Sequence, residues 1–349
     1  MQLRSLVMTA AVALGATGLA QADDAGLLYK FSSSVTLPST EIGWDYIKMQ
    51  PGSSRLFLAR DADGLTVFDV DQGKIVTTVE NSKGANGPLL LPQYNRGYVA
   101  NTDGSLLSFD LKTLKPIERL ALDKEGGLNS GVHNPLTKEI HFITSSRPSQ
   151  STWYTLDAAT GKLLKTTTFP FRKMDDPAID EAGNIYAPAR YNNLILKLDP
   201  KTLKETARWN APCNVSKTRW QASTKRIIAA CVGDKPQFFS FDPASGKVTA
   251  SVPIGPRIDG IGIDEKRKRI VTSSNEGYVT VIQQQGADQY ELLGTVTTRV
   301  EARMMFMDER NGNLYLVTAD MTTGKPDAQG NAKETYHPGS FVLLTYKPI

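Results

Sequence analysis

Apolar and polar residues alternate in short runs along most of this chain, and the runs return in one phrase. Leu65-Thr-Val-Phe-Asp69 leads into a turn closed by Gly73-Lys74. The phrase recurs as Leu106-Leu-Ser-Phe-Asp110, as Trp153-Tyr-Thr-Leu-Asp157 with Gly161-Lys162, as Leu196-Lys-Leu-Asp199, and as Phe239-Ser-Phe-Asp242 with Gly246-Lys247. The aspartates are 41, 47, 42 and 43 residues apart. Period-two alternation marks half-buried strands, and a period near forty made of strands and turns is the signature of a β-propeller with about four strands per blade.

Counting second strands gives the number of blades. They open at Arg55, Arg96, Glu139, Asn184, Arg226, Arg269 and Asn313, which makes seven. The last blade has only Ser340–Tyr346 after its second strand before the chain ends at Ile349, so its outer strand is missing. The stretch Leu27–Leu37 has the length and pattern to supply it, which closes the ring and removes open sheet edges. The fold class expected is therefore all-β: a seven-bladed β-propeller of four-stranded blades whose N-terminal strand completes the last blade.

Residues 1–22 read as a cleaved leader and residues 23–349 as one propeller domain. Arg4 precedes an apolar stretch from Leu6 to Ala20, followed by the small-x-small pattern Ala20-Gln21-Ala22. The apolar run is shorter than the roughly 20 residues a membrane-spanning helix needs. A periplasmic or secreted location follows. The net charge of +4 is spread along the chain and gives no concentrated basic stripe, which argues against a nucleic-acid partner. Thr322–Pro338, between the second and third strands of the last blade, has almost no apolar content and reads as a solvated flap.

Chemistry is expected at the mouth of the central channel, where the starts of the inner strands converge from all blades. Those positions carry Asp45, Asn86, Asn129, Asp175, Asp176, Lys217, Asp259 and Arg303, and the loops after second strands add Arg60, Asn101, Arg190 and Asn275. The ligand-binding set expected is Asp45, Arg60, Asp176, Arg190, Asp259 and Arg303. Asp45, Asp175 and Asp259 could hold a hard cation such as calcium through oxygen ligands. The arginines would compete as counterions, which favours a small polar or anionic ligand and no cofactor. The three histidines form no triad or metal pair, and no catalytic residue is assigned.

The two cysteines, Cys213 and Cys231, flank a hairpin turning near Ser223-Thr224, so antiparallel pairing brings them within bridging reach. An even count in an oxidising compartment favours a disulfide.

Gly43-Trp44-Asp45-Tyr46, the Asp-x-x-Thr/Ser-Gly-Lys turns, Pro253-Ile-Gly-Pro-Arg-Ile-Asp259-Gly and the closing Gly339-Ser-Phe-Val-Leu together resemble the exported YVTN/YncE-like β-propeller family over the whole mature chain. The resemblance implies a ligand-binding or interaction protein more than an enzyme, and a monomer is expected. Two alternatives stand beside it: a metal-dependent lactonase-like hydrolase, and a structural partner of an envelope protein assembly.

Overall fold

The computed structural model describes residues 27–40, 43–327 and 332–349, so the leader expected at residues 1–22 lies outside the described residues. Seven four-stranded antiparallel sheets form the blades of a β-propeller. In blades one to six, consecutive strands run from the channel outwards; blade one is Trp44–Met49, Arg55–Arg60, Gly64–Asp69 and Lys74–Thr78. Blade seven is built from Met304–Met307, Leu314–Thr318, Val342–Pro348 and the N-terminal strand Tyr29–Thr36. That last pairing, Tyr29 opposite Pro348 to Thr36 opposite Val342, is the ring closure expected from the unfinished last repeat.

Alternation along each second and third strand explains the core. In blade one, Leu56 and Leu58 pack towards blade seven, while Phe57 and Ala59 pack towards blade two. The same division holds round the ring, so buried aliphatic and aromatic side chains form a cluster at each interface between blades. Their removal from water drives assembly of the ring.

The repeated aspartates are turn caps. Asp69 accepts the backbone N–H groups of Asp71 and Gln72 at 3.0 and 2.9 Å. Asp110, Asp157 and Asp199 each accept the same two bonds from the residues two and three positions on. Glycine ends these turns at Gly73, Gly161 and Gly246, where φ is 65°, 77° and 74°.

The flap expected at Thr322–Pro338 is solvent-exposed over its described part, and its two arms also pair as a ribbon. Met321–Pro326 pairs antiparallel with Ala332–Tyr336. Tyr336 anchors its base edge-on against Trp44, with ring centroids 4.8 Å apart. That single aromatic contact, invisible in a stretch so poor in apolar residues, ties the ribbon to blade one.

Candidate functional site at the channel mouth

Inner strands aim side chains into the channel through a shared irregularity. In blades one, two, three and five the pairing with the second strand slips by one residue near its start. Such a bulge adds one residue to the inner strand and re-aims its side chains. In blade one it lets the neighbours Asp45 and Tyr46 both line the channel, although regular alternation would send them to opposite faces. In blade four the inner strand is broken by Asp175-Asp176-Pro177. Asp176 bridges across to Lys217 of blade five, and Thr218 donates its hydroxyl to the Asp176 carbonyl at 2.5 Å.

These devices produce a polar basin of about 360 Å³ at one end of the channel. Asp45, Asp175 and Asp259 line it, together with Lys173, Arg190, Lys217, Arg257 and Arg303. Two of the carboxylates are engaged by cations. Asp175 lies 3.2 Å from both Lys173 and Arg190. Asp259 is bonded by Arg303 and lies 3.9 Å from Lys217. Burial raises the Asp175 carboxyl above its ordinary range, against the pull of Lys173 and Arg190. For the Arg303 guanidinium, burial works against the charge, but Asp259 more than offsets it and strengthens its hold on the proton.

Asp45 differs from both. Among the described residues its carboxyl makes no hydrogen bond or ion pair, and burial followed by the nearby Asp259 charge pushes it from 3.8 up to about 7. A carboxyl that ionises near neutrality in a polar basin is a group that a ligand can complete. At the rim, Arg257 and Glu301 form an ion pair of 3.7 Å, both with left-handed backbones at φ 47° and 61°. That conformation is uncommon outside glycine.

The floor of the basin is a knot around Tyr46. Its hydroxyl donates to Asp176 at 2.9 Å and accepts from the Lys217 ammonium at 3.0 Å, and Asn129 approaches at 3.4 Å. Lys217 also sits 4.3 Å from the centre of the ring. One side chain from blade one thus reaches across the channel to blades three, four and five. Burial, then the Asp176 charge, raises the Tyr46 hydroxyl well above its usual range, so it keeps its proton for Asp176. Burial alone would raise Asp176, but Lys217 and Arg219 outweigh it and hold the carboxylate low.

Of the six ligand-binding residues expected, Asp45, Arg190, Asp259 and Arg303 meet in the basin. Asp176 does not line it; it lies beneath, bonded to Tyr46. Arg60 is not there at all. Its guanidinium donates to the Thr66 hydroxyl at 2.6 Å and to the Pro38 carbonyl at 2.6 Å, and stacks over Phe341 between blades one and seven. Arg60 ends its second strand turned into the interface between blades one and seven, away from the channel. Arg190 succeeds because its backbone bonds to Lys173 beside the broken strand of blade four. Asn86 and Asn101 are buried and spent on backbone carbonyls. Asp45, Asp175 and Asp259 do not come together as a set of cation ligands; among the described residues no group of three or more acidic, histidine or cysteine side chains is placed to hold a metal.

The disulfide forms as the hairpin numbering implies, between Cys213 and Cys231, with Cα atoms 5.7 Å apart. It staples the start of the inner strand of blade five to the end of its second strand. Lys217 and Gly233, two walls of the basin, lie just beyond it.

No protein-family model matches this chain, and no curated protein matches its sequence. Its shape has counterparts among solved structures. A chain from a crystal structure of the mitotic checkpoint complex superposes with a TM-score of 0.70 at 10% identity, covering 97% of this chain and 100% of that one. A chain of Kuenenia stuttgartiensis hydrazine synthase superposes with a TM-score of 0.65 at 14% identity, covering 87% and 98%. At such identities the likeness is one of fold. The chain is a seven-bladed β-propeller with a charged basin at its channel mouth.

Proposed function

We propose that this chain is an exported binding propeller of the YVTN/YncE-like kind, and that its basin takes a small polar anion such as a sugar acid. The observation that carries the reading is the composition of the basin: five cationic side chains against three carboxyls, one of them unpaired. The cations offer charge-assisted hydrogen bonds to a ligand carboxylate, and Asp45 offers an acceptor or donor to its hydroxyls. The disulfide is compatible with an oxidising compartment outside the cytoplasm. No helix of the described residues is long and apolar enough to cross a membrane.

A second reading is catalytic. Asp45 has the ionisation expected of a general base, and a hydrolase such as a lactonase would use it to activate water. Against that reading, the neighbouring carboxylates Asp175 and Asp259 are taken up by Lys173, Arg190 and Arg303.

A thermal-shift panel of sugar acids, simple carboxylates, neutral sugars and calcium, read beside elemental analysis, separates these. Binding predicts stabilisation by sugar acids that is lost in Arg190→Ala, with the compound recovered unchanged. Stabilisation by neutral sugars alone would refute anion recognition. Turnover of a lactone abolished by Asp45→Asn would replace the binding reading with the catalytic one.

A further inference from the structure

A second cavity lies on the other side of Tyr46. It has a volume of about 410 Å³, runs to the opposite face of the ring, and is walled by the inner strands of blades five, six, seven and one. Tyr46 and Asp259 are walls of both this chamber and the basin, and the bonds of Tyr46 to Asp176 and Lys217 cross the channel between them. The chamber therefore has its own mouth and its own chemistry.

Its inner end is cationic. Lys48 and Arg219 project there from blades one and five. Among the described residues the Lys48 ammonium has no hydrogen bond and no ion pair, and it lies 5.5 Å from the centre of the Tyr46 ring. The nearest anion, Asp176, is already bonded by Tyr46 and Lys217. Arg219 reaches Asp176 only at 3.6 Å and spends one N–H on a backbone carbonyl. Burial, then the Arg219 charge, lowers the Lys48 ammonium to about 8. Lys48 and Arg219 thus face one carboxylate, Asp176, that Lys217 already shares, which leaves an excess of positive charge to attract an anion.

The walls are apolar. Ile263, Phe306 and Trp220 are half-buried and face the space. At the mouth Asp264 and Asp308 are tied to Arg267 and Arg310, and Lys266 stands beside Glu265 and Glu309, so the rim keeps a net negative charge. An acidic rim disfavours a dianion, and apolar walls give nothing to an inorganic ion. Both features select a monoanion with an apolar body.

We propose that this chamber is a second binding site, separate from the basin, for a small monocarboxylate with an aromatic or aliphatic body. The carboxylate sits between Lys48 and Arg219, and the body lies against Phe306 and Ile263. Cavities of this size take small organic ligands.

Calorimetric titration of the full chain with phenylacetate tests this, with 2-phenylethanol as the body without the charge and acetate as the charge without the body. Phenylacetate should bind at least tenfold tighter than either, the ratio expected when a charged hydrogen bond or the apolar contact is lost. Lys48→Met and Phe306→Ala should each weaken it tenfold or more, and Arg190→Ala in the basin should leave it unchanged. Because Lys48→Met could disturb the channel, Lys48→Arg serves as its control and should retain binding. Equal binding of phenylacetate and 2-phenylethanol, absence of phenylacetate binding, or weakening by Arg190→Ala but not by Lys48→Met would each overturn the proposal.

Discussion

Replacing Tyr46 by phenylalanine removes one oxygen atom from the middle of the channel and leaves the ring in place. The cation–π contact with Lys217 at 4.3 Å is kept. What is lost is a hydrogen bond to the Asp176 carboxylate at 2.9 Å and one from the Lys217 ammonium at 3.0 Å. Hydrogen bonds to charged groups contribute about 1.5–3 kcal/mol each. The two losses do not add in full, because Asp176 retains Lys217 at 3.4 Å and Arg219 at 3.6 Å. A net destabilisation of about 2–3 kcal/mol is expected, below the full sum of two charged bonds. Asp176→Asn should cost more, about 3–5 kcal/mol, since it strips the buried Lys217 of its closest carboxylate. Urea unfolding followed by tryptophan fluorescence measures both. A Tyr46→Phe protein within about 0.5 kcal/mol of wild type, the range of an inconsequential surface change, would refute the view that this knot braces the ring.

Two further outcomes follow from the same geometry. Asp45 ionises at about 7 in the fold against about 4 in the unfolded chain, so the folded state holds a proton that the unfolded chain has released. Its contribution to stability is therefore present below about pH 4 and lost as pH rises to about 7. Asp45→Asn, which stays neutral, should gain in melting temperature relative to wild type between about pH 4 and pH 8, and an unchanging difference would contradict it. Replacing Cys213 and Cys231 by serine opens a loop of 18 residues and should destabilise the protein by about 3 kcal/mol in the chain-entropy model, measurable by the same unfolding assay; a change below about 1 kcal/mol would show that the staple constrains little in the unfolded chain.

The architecture was legible because a propeller writes itself into the chain once per blade. The turn aspartates keep their spacing since each caps the same turn, and the unfinished last repeat pointed to Tyr29–Thr36 as its missing strand. The disulfide was legible because a hairpin fixes which positions face each other. The basin was only partly legible. Asp45, Asp259 and Arg303 stand at inner-strand starts, which geometry brings to the axis in any propeller. Arg60 has the same charge but ends a second strand, where the nearest partners are Thr66, Pro38 and Phe341.

Tyr46 escaped notice although it adjoins Asp45, because strict alternation puts one of the two on the far side of the strand. The bulge that brings both to the channel leaves no mark in composition. Lys173 and Arg257 were missed for a related reason: each lies in irregular chain before a short or delayed inner strand, where counting by twos gives no orientation.

What the basin holds decides the function of this propeller. Its most direct test is a crystal structure of the full chain grown with the sugar acid that stabilises it most. The carboxylate of that compound should lie within hydrogen-bond distance of Arg190, Lys173 or Arg303, with a hydroxyl against Asp45. The contrary result is a basin holding only solvent while the compound occupies another surface.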